Sequence, residues 1–284
     1  MVDLFYKFSA IFFRLTNYLV KQKGVIILMY HRVNDSLPPG DFVMSVKTFR
    51  AQMRYLKEHC DLLDVQQLRN MFNHPARIKG QFRPQVVITI DDGYRDTYLN
   101  AFPILKELDL PAIVFLATGF IGTDKKFTRY INMPSPDMMS WKEALEMSRH
   151  KIALGAHTVS HPHLPQLSLA EQEAEIEGSV RHLEQYIQGS IARLVFCYPY
   201  GEYNQDTLTI MRKTNVHIAL TVKAGIDTGD EDTLQLKRVW ADGTKNIVGF
   251  MRSVNVSFFS GIQWRMKLIR NTLKMLHIKN VYEK

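Results

Sequence analysis

Cysteine is scarce: two residues in 284, Cys60 and Cys197, with no C-x-x-C pair. That excludes a disulfide framework and a cysteine-based zinc motif, and it fits a reducing compartment. No stretch of about 20 predominantly apolar residues runs clean enough for a membrane-spanning helix. The sequence has no glycine-rich dinucleotide fingerprint, internal repeat or low-complexity tract. The apolar stretch from Phe5 to Leu19 is broken by Lys7 and Arg14, and no small-residue cleavage site follows, so it is not a clean signal peptide.

Acidic residues are scarce at both ends. Residues 1–24 set four basic residues against Asp3, and residues 243–284 set eight against Glu283. The formal charge of +8 therefore belongs to the termini, and the centre is slightly acidic. A central nucleic-acid groove is disfavoured, and anionic surfaces become partners for the ends. Phe5, Phe8, Phe12, Leu15 and Leu19 lie on one helical face, as do Ile262, Met266, Ile269, Leu273 and Leu276. Each stripe either packs on the domain or lies in a membrane interface, with Trp264 and Phe258-Phe259 at headgroup level. The division expected is a helical segment over 1–24, a catalytic domain over 25–242 and a basic amphipathic tail over 243–284.

Within the central region, apolar runs alternate with helical patterns. Strands are expected at Val25–Tyr30, Gln85–Ile90, Ala112–Leu116, Lys151–Ala156, Leu194–Tyr198 and His217–Val222. Helices are expected at Lys47–His59, near Asn100–Leu108 and Gln205–Thr214, and after capping-box patterns at Ser140–Glu143 and Ser168–Glu171. This alternation implies parallel βαβ units, closed into a distorted barrel. Residues 119–138 carry no strong pattern and are expected to loop over one face.

Chemistry-bearing residues gather where these strands end. Asp91-Asp92-Gly93 follows the second strand. Adjacent carboxylates there are either a polar turn or a metal ligand beside a base, since burial is costly without a compensating positive charge. His157 and His161 follow the Lys151–Ala156 strand, and Pro162 keeps His161 out of helical geometry. They are either a surface pair or two imidazole ligands to one ion. Tyr198-Pro199-Tyr200-Gly201 is a proline turn or an aromatic surface for sugar rings. In a βα barrel, motifs that follow parallel strands share one catalytic face.

In this order and spacing the three motifs resemble the polysaccharide deacetylase family, also called the NodB-homology domain or carbohydrate esterase family 4, over roughly residues 25–240. The resemblance implies a distorted (β/α)7 barrel and metal-dependent removal of acetyl groups from sugars. By it, Asp91 matches the catalytic base, and Asp92, His157 and His161 match the metal ligands. Tyr200, following Pro199, matches the residue whose backbone N–H helps hold the oxyanion. Zinc is the ion expected, with other first-row divalent ions as alternatives.

Three departures stand out. Cys197 occupies the place of the third motif's arginine, the fourth motif's Asp-x-x-Asp-Trp is absent, and so is the late Leu-x-His. Arg238 is the best substitute for contacting the base, and Leu276-His277 is a poor candidate for the last motif. Leu28-Met29-Tyr30-His31-Arg32 resembles instead the permuted subgroup that deacetylates exopolysaccharides such as poly-N-acetylglucosamine, which would make His31 the general acid. The expected partner is an N-acetylated glycan. The expected location is cytoplasmic, peripheral on the inner face of the membrane. Alternatives are a hydrolase of another amide, such as a cyclic ureide or formylated lipid-linked sugar, and a non-catalytic glycan-binding domain.

Overall fold

The structure is a computed structural model, described for residues 22–40, 42–74, 79–81, 83–125, 127, 137–187 and 195–255. Seven parallel strands close a barrel: β1 (Val25–Tyr30), β2 (Gln85–Ile90), β3 (Ala112–Leu116), β4 (Ile152–Ala156), β5 (Val195–Cys197), β6 (Ile218–Ala224) and β7 (Leu236–Trp240). Their order around the barrel is β1-β7-β6-β5-β4-β3-β2, and β2 pairs back with β1 from Val25↔Gln85 to Tyr30↔Ile90. The N-terminal strand thus closes the barrel between the last strand and the second.

The distortion lies between β2 and β3. These strands pair only at Thr89↔Ile113 and Ile90↔Val114, while the short strand Asp61–Leu62 occupies the lower half of the same β2 edge. Strands buried on both faces read as continuous apolar runs, which is why β1, β2 and β3 were visible in the sequence. β7 was not, because Lys237 and Arg238 interrupt its run.

Alternation divides the core into two layers. Val25, Ile27, Val87, Ile113, Phe115, Val195, Ile218 and Leu236 form the inner layer. Their neighbours Ile26, Leu28, Val86, Ile88, Val114 and Leu154 join the larger outer layer under the helices. Those helices are α1 (Val46–His59), α2 (Val65–Asn73), α3 (Phe102–Glu107), α4 (Trp141–Ser148), α5 (Leu169–Tyr186), α6 (Gln205–Lys213) and α7 (Ile247–Val254). α2 sends Val65, Leu68 and Met71 into the inner layer. Both expected capping boxes are formed, at the starts of α4 and α5. α3 is preceded by a π-helical turn over Thr97–Ala101. Pro103 has no N–H to close an α-turn onto Leu99, and the chain takes the wider turn instead.

The ends depart from expectation where they are described. Gln22–Lys23 is extended and pairs antiparallel with Lys79–Gln81, so no helix runs to residue 24. Gly24, with φ 109°, turns the chain into β1. Packing continues past residue 242: α7 buries Phe250, Met251 and Val254, and Asn255 donates to the Tyr55 hydroxyl at 3.1 Å. The stripes of residues 5–19 and 262–276, with Leu276-His277, lie outside the described residues. Among the described residues, no helix is long and apolar enough to cross a membrane.

Candidate active site

The inner layer, extended two residues at a time, becomes the site. Val87 leads to Thr89 and Asp91, Ile27 to Met29 and His31, Leu236 to Arg238 and Trp240, and Val195 to Cys197. β-ladder hydrogen bonds continue past the strand ends, with Asp91 N–H donating to Tyr30 at 2.9 Å and His157 N–H to Leu116 at 3.0 Å. The row parity of each strand thereby carries its side chain to the mouth of the barrel.

Asp91, Asp92, His157 and Arg238 are buried to 2 % exposure or less. Arg238 donates from Nη1 to Asp91 Oδ1 at 2.8 Å, and its Nη2 lies 2.7 Å from Oδ2. It also donates from Nε to the Thr221 carbonyl at 2.8 Å and from Nη1 to Thr89 Oγ1 at 3.2 Å. Burial pushes the Asp91 carboxyl up, but the Arg238 guanidinium and the neighbouring imidazoles of His31 and His157 outweigh it and hold it below its ordinary value. Cys197 lies beneath the pair, accepting from Arg238 Nη2 at 3.1 Å, and burial keeps its thiol protonated.

Asp92 turns away from Asp91 because its backbone is left-handed, with φ 77°. Gly93 follows at φ 81°, where a Cβ would meet the Ile121 side chain at 2.7 Å. His157 Nε2 and His161 Nε2 lie 3.6 and 3.3 Å from Asp92 Oδ1. His157 Nδ1 donates to the Cys197 carbonyl at 2.6 Å, the second hydrogen bond that fixes a ligating histidine's tautomer. His161 has φ 58°, and its N–H is capped by Thr158 Oγ1 at 3.0 Å. Glu175 of α5 accepts from the N–H groups of Val159 and Ser160, both at 2.8 Å, and so pins the loop between the histidines. Left-handed backbone at Asp92, Thr158, His161 and Tyr200 is strain concentrated at one mouth of the barrel.

These donors fit a divalent ion. Asp92, His157 and His161 offer one carboxylate oxygen and two imidazole nitrogens, all within 4.8 Å of one another. That mixed set suits zinc and other first-row ions, and three protein ligands leave coordination positions open. Asp91, His157 and Cys197 also cluster, but there the Arg238 guanidinium already supplies the positive charge.

The remaining expected residues gather round the same mouth. His31 Nε2 is 3.9 Å from Asp91 Oδ2, and its ring packs against both Phe42 and Trp240, at centroid distances of 4.9 and 5.6 Å, with those two rings also in contact at 5.2 Å. Pro199 is buried, and Tyr200 packs its ring edge-on to His161 at 4.7 Å and flat on His163 at 3.9 Å. Sequence reasoning missed Thr89, Phe42, Phe127 and Trp240. Thr89 and Trp240 carried a readable signal, two residues from Asp91 and Arg238 on the same strand face. Phe127, buried against Phe120 and 5.1 Å from His161, lies in the patternless 119–138 stretch and carried none.

A closed parallel barrel whose strand ends converge on paired carboxylates, two imidazoles and a buried arginine defines an α/β-barrel hydrolase. Residues 79–219 match the model of the polysaccharide deacetylase family, so the chain carries a polysaccharide deacetylase domain. The poly-beta-1,6-N-acetyl-D-glucosamine N-deacetylase of Staphylococcus epidermidis is 26% identical over 243 residues, covering 77% of this chain and 79% of that protein. A polysaccharide deacetylase from Bacillus cereus superposes with TM-score 0.66 at 27% identity, covering 82% of this chain and 69% of that one. Streptococcus pyogenes deacetylase PplD, solved in complex with acetate, shares the fold with TM-score 0.69 at 23% identity, covering 81% and 98% of the two chains.

Proposed function

We propose that the protein hydrolyses N-acetyl groups from an N-acetylhexosamine-type glycan, as in exopolysaccharide or cell-surface glycan metabolism. The observation that carries this reading is the placement of Asp91. Its carboxylate is held by Arg238, lies beside the Asp92–His157–His161 cluster, and faces His31 at 3.9 Å. A base, a metal site and a second proton carrier thus meet at one point.

Asp92, His157 and His161 would hold the divalent ion, zinc by preference. When bound, such an ion polarises the acetyl carbonyl and lowers the pKa of the attacking water toward about 7. Asp91 accepts the proton of that water, because Arg238 keeps it ionised at neutral pH. The Tyr200 backbone N–H donates to the oxyanion that forms on the carbonyl oxygen. His31 delivers a proton to the sugar nitrogen as the C–N bond breaks, since an amine leaves poorly unless protonated. Water's oxygen ends on acetate and the sugar keeps a free amine. Phe42, Trp240 and Tyr200 give the mouth aromatic faces suited to sugar rings.

Acetate release from N-acetylglucosamine oligomers, lost on chelation and restored by added zinc, tests this reading. Release from a ureide or formamide instead would replace the substrate class, and glycan binding without any release would remove the enzymatic role. The basic ends are proposed to dock on the cytoplasmic face of an anionic membrane, close to a polymer being exported. Sedimentation with anionic liposomes, lost at high salt and on deleting residues 258–284, tests that.

A further inference from the structure

His31 belongs to no strand itself: it is the single residue between β1 and a two-residue strand, Arg32–Val33, that pairs with Val43–Met44. Its neighbour Arg32 is 7 % exposed and donates from Nε to Asp96 Oδ2 at 2.8 Å. Asp96 is equally buried and stands four residues after Asp92, on the turn that continues from β2. Asn34 donates to the same Asp96 oxygen at 3.3 Å. A third tie runs the same way, from Asn100 Nδ2 to the Val33 carbonyl at 2.7 Å.

A buried ion pair is a poor source of stability, because desolvating two charges offsets most of their attraction. What it does well is fix geometry. This pair joins the two segments whose preceding residues are His31 and the Asp91-Asp92 pair. Consecutive side chains of an extended chain point to opposite sides. With Arg32 held outward on Asp96, His31 is turned inward toward Asp91. The Arg32 N–H also donates to the Phe42 carbonyl at 3.0 Å, so the same residue seats the ring that packs against His31.

We infer that the Arg32–Asp96 ion pair is a positioning device that sets the aim of His31 at the reacting centre. The inference rests on the proposed role of His31 as proton donor to the departing amine. Asp96 touches no reacting atom and acts through His31 alone.

That difference can be read with two substrates. 4-Nitrophenyl acetate has a leaving group that needs no proton, whereas the N-acetyl amide does. Asp96→Asn keeps the shape and removes the charge. It should lower kcat on N-acetylglucosamine oligomers about tenfold, as small misplacements of catalytic groups do, while 4-nitrophenyl acetate turnover stays within about twofold. In a His31→Ala background the same substitution should change oligomer kcat no further. Should Asp96→Asn fail to fold, Arg32→Lys, which keeps the cation but removes the Nε donor to Asp96, is read by the same ratio. An equal loss on both substrates, or a loss that persists without His31, overturns the inference. Wild-type protein that cleaves the ester but releases no acetate from oligomers overturns the functional reading, and this inference falls with it. Wild-type activity on both, with an unchanged ratio in the variant, overturns the inference alone.

Discussion

Arg238 and Asp91 form a two-pronged ion pair across 147 residues of sequence, Nη1 to Oδ1 at 2.8 Å and Nη2 to Oδ2 at 2.7 Å. The third-motif position that would supply an arginine in the family pattern holds Cys197, whose sulfur accepts from the same guanidinium at 3.1 Å. The positive charge beside Asp91 is thus supplied from β7, and β5 contributes a neutral thiol beneath it. Arg238→Met should leave Asp91 buried without its partner. The expected cost is about 3–5 kcal/mol of stability, the usual result of breaking one side of a buried pair. Activity should fall with it, because Asp91 is then no longer held as a carboxylate. Urea unfolding and kcat measured on the same preparation check this, and a variant as stable and as active as wild type would contradict it.

The ligand set makes a separable prediction. His161→Ala removes one nitrogen from the Asp92–His157–His161 cluster but leaves the barrel core untouched. Metal content by elemental analysis should fall from near one equivalent to near none, with turnover lost and the far-ultraviolet circular dichroism unchanged. Full retention of metal would remove His161 from the ligand set.

Base and ligand differ in what their loss does. Asp91→Asn should keep the ion yet lower kcat by about 10²–10⁴-fold, the range of a general base. His31→Ala should lose a comparable factor on amides and less on substrates with better leaving groups. Near-native kcat in Asp91→Asn would exclude it as the base.

How much of this was legible in the sequence depends on how local each cause is. Strands buried on both faces announce themselves as apolar runs, so β1, β2 and β3 were read almost to the residue. Capping boxes depend on residues three apart, and both formed as expected. The three motifs were visible because each sits directly behind such a strand. β7 was hidden, because its inward residue is a charged Arg238 made tolerable only by Asp91, far away in sequence. Arg32 and Asp96 were hidden for the same reason: a buried charge is intelligible only once its partner is seen. The extended Gln22–Lys23 pair depends on Lys79–Gln81, a distant backbone that no periodicity in the first 24 residues reveals.

Asp227 yields a prediction in stability versus pH. It lies where β1 begins: its carbonyl accepts from Val25 N–H at 2.8 Å, and its Oδ2 accepts from the Lys237 N–H at 2.9 Å. The side chain is fully buried. Burial drives its pKa up to about 7, with Glu231 adding to the rise while the Lys237 N–H and the Lys237 ammonium, 3.7 Å away, oppose it. In the unfolded chain the carboxyl titrates near its ordinary value of about 3.9. The folded protein therefore holds this proton more tightly than the unfolded one. Its stabilising contribution is complete below about pH 4 and is lost as pH rises to about 7. Asp227→Asn stays neutral throughout and can still accept the Lys237 N–H bond. Between pH 5 and pH 7.5 the wild type should thus lose more stability than the variant, by on the order of a few kcal/mol. Urea unfolding of both proteins across that interval decides it, and parallel pH profiles would show that Asp227 does not titrate there.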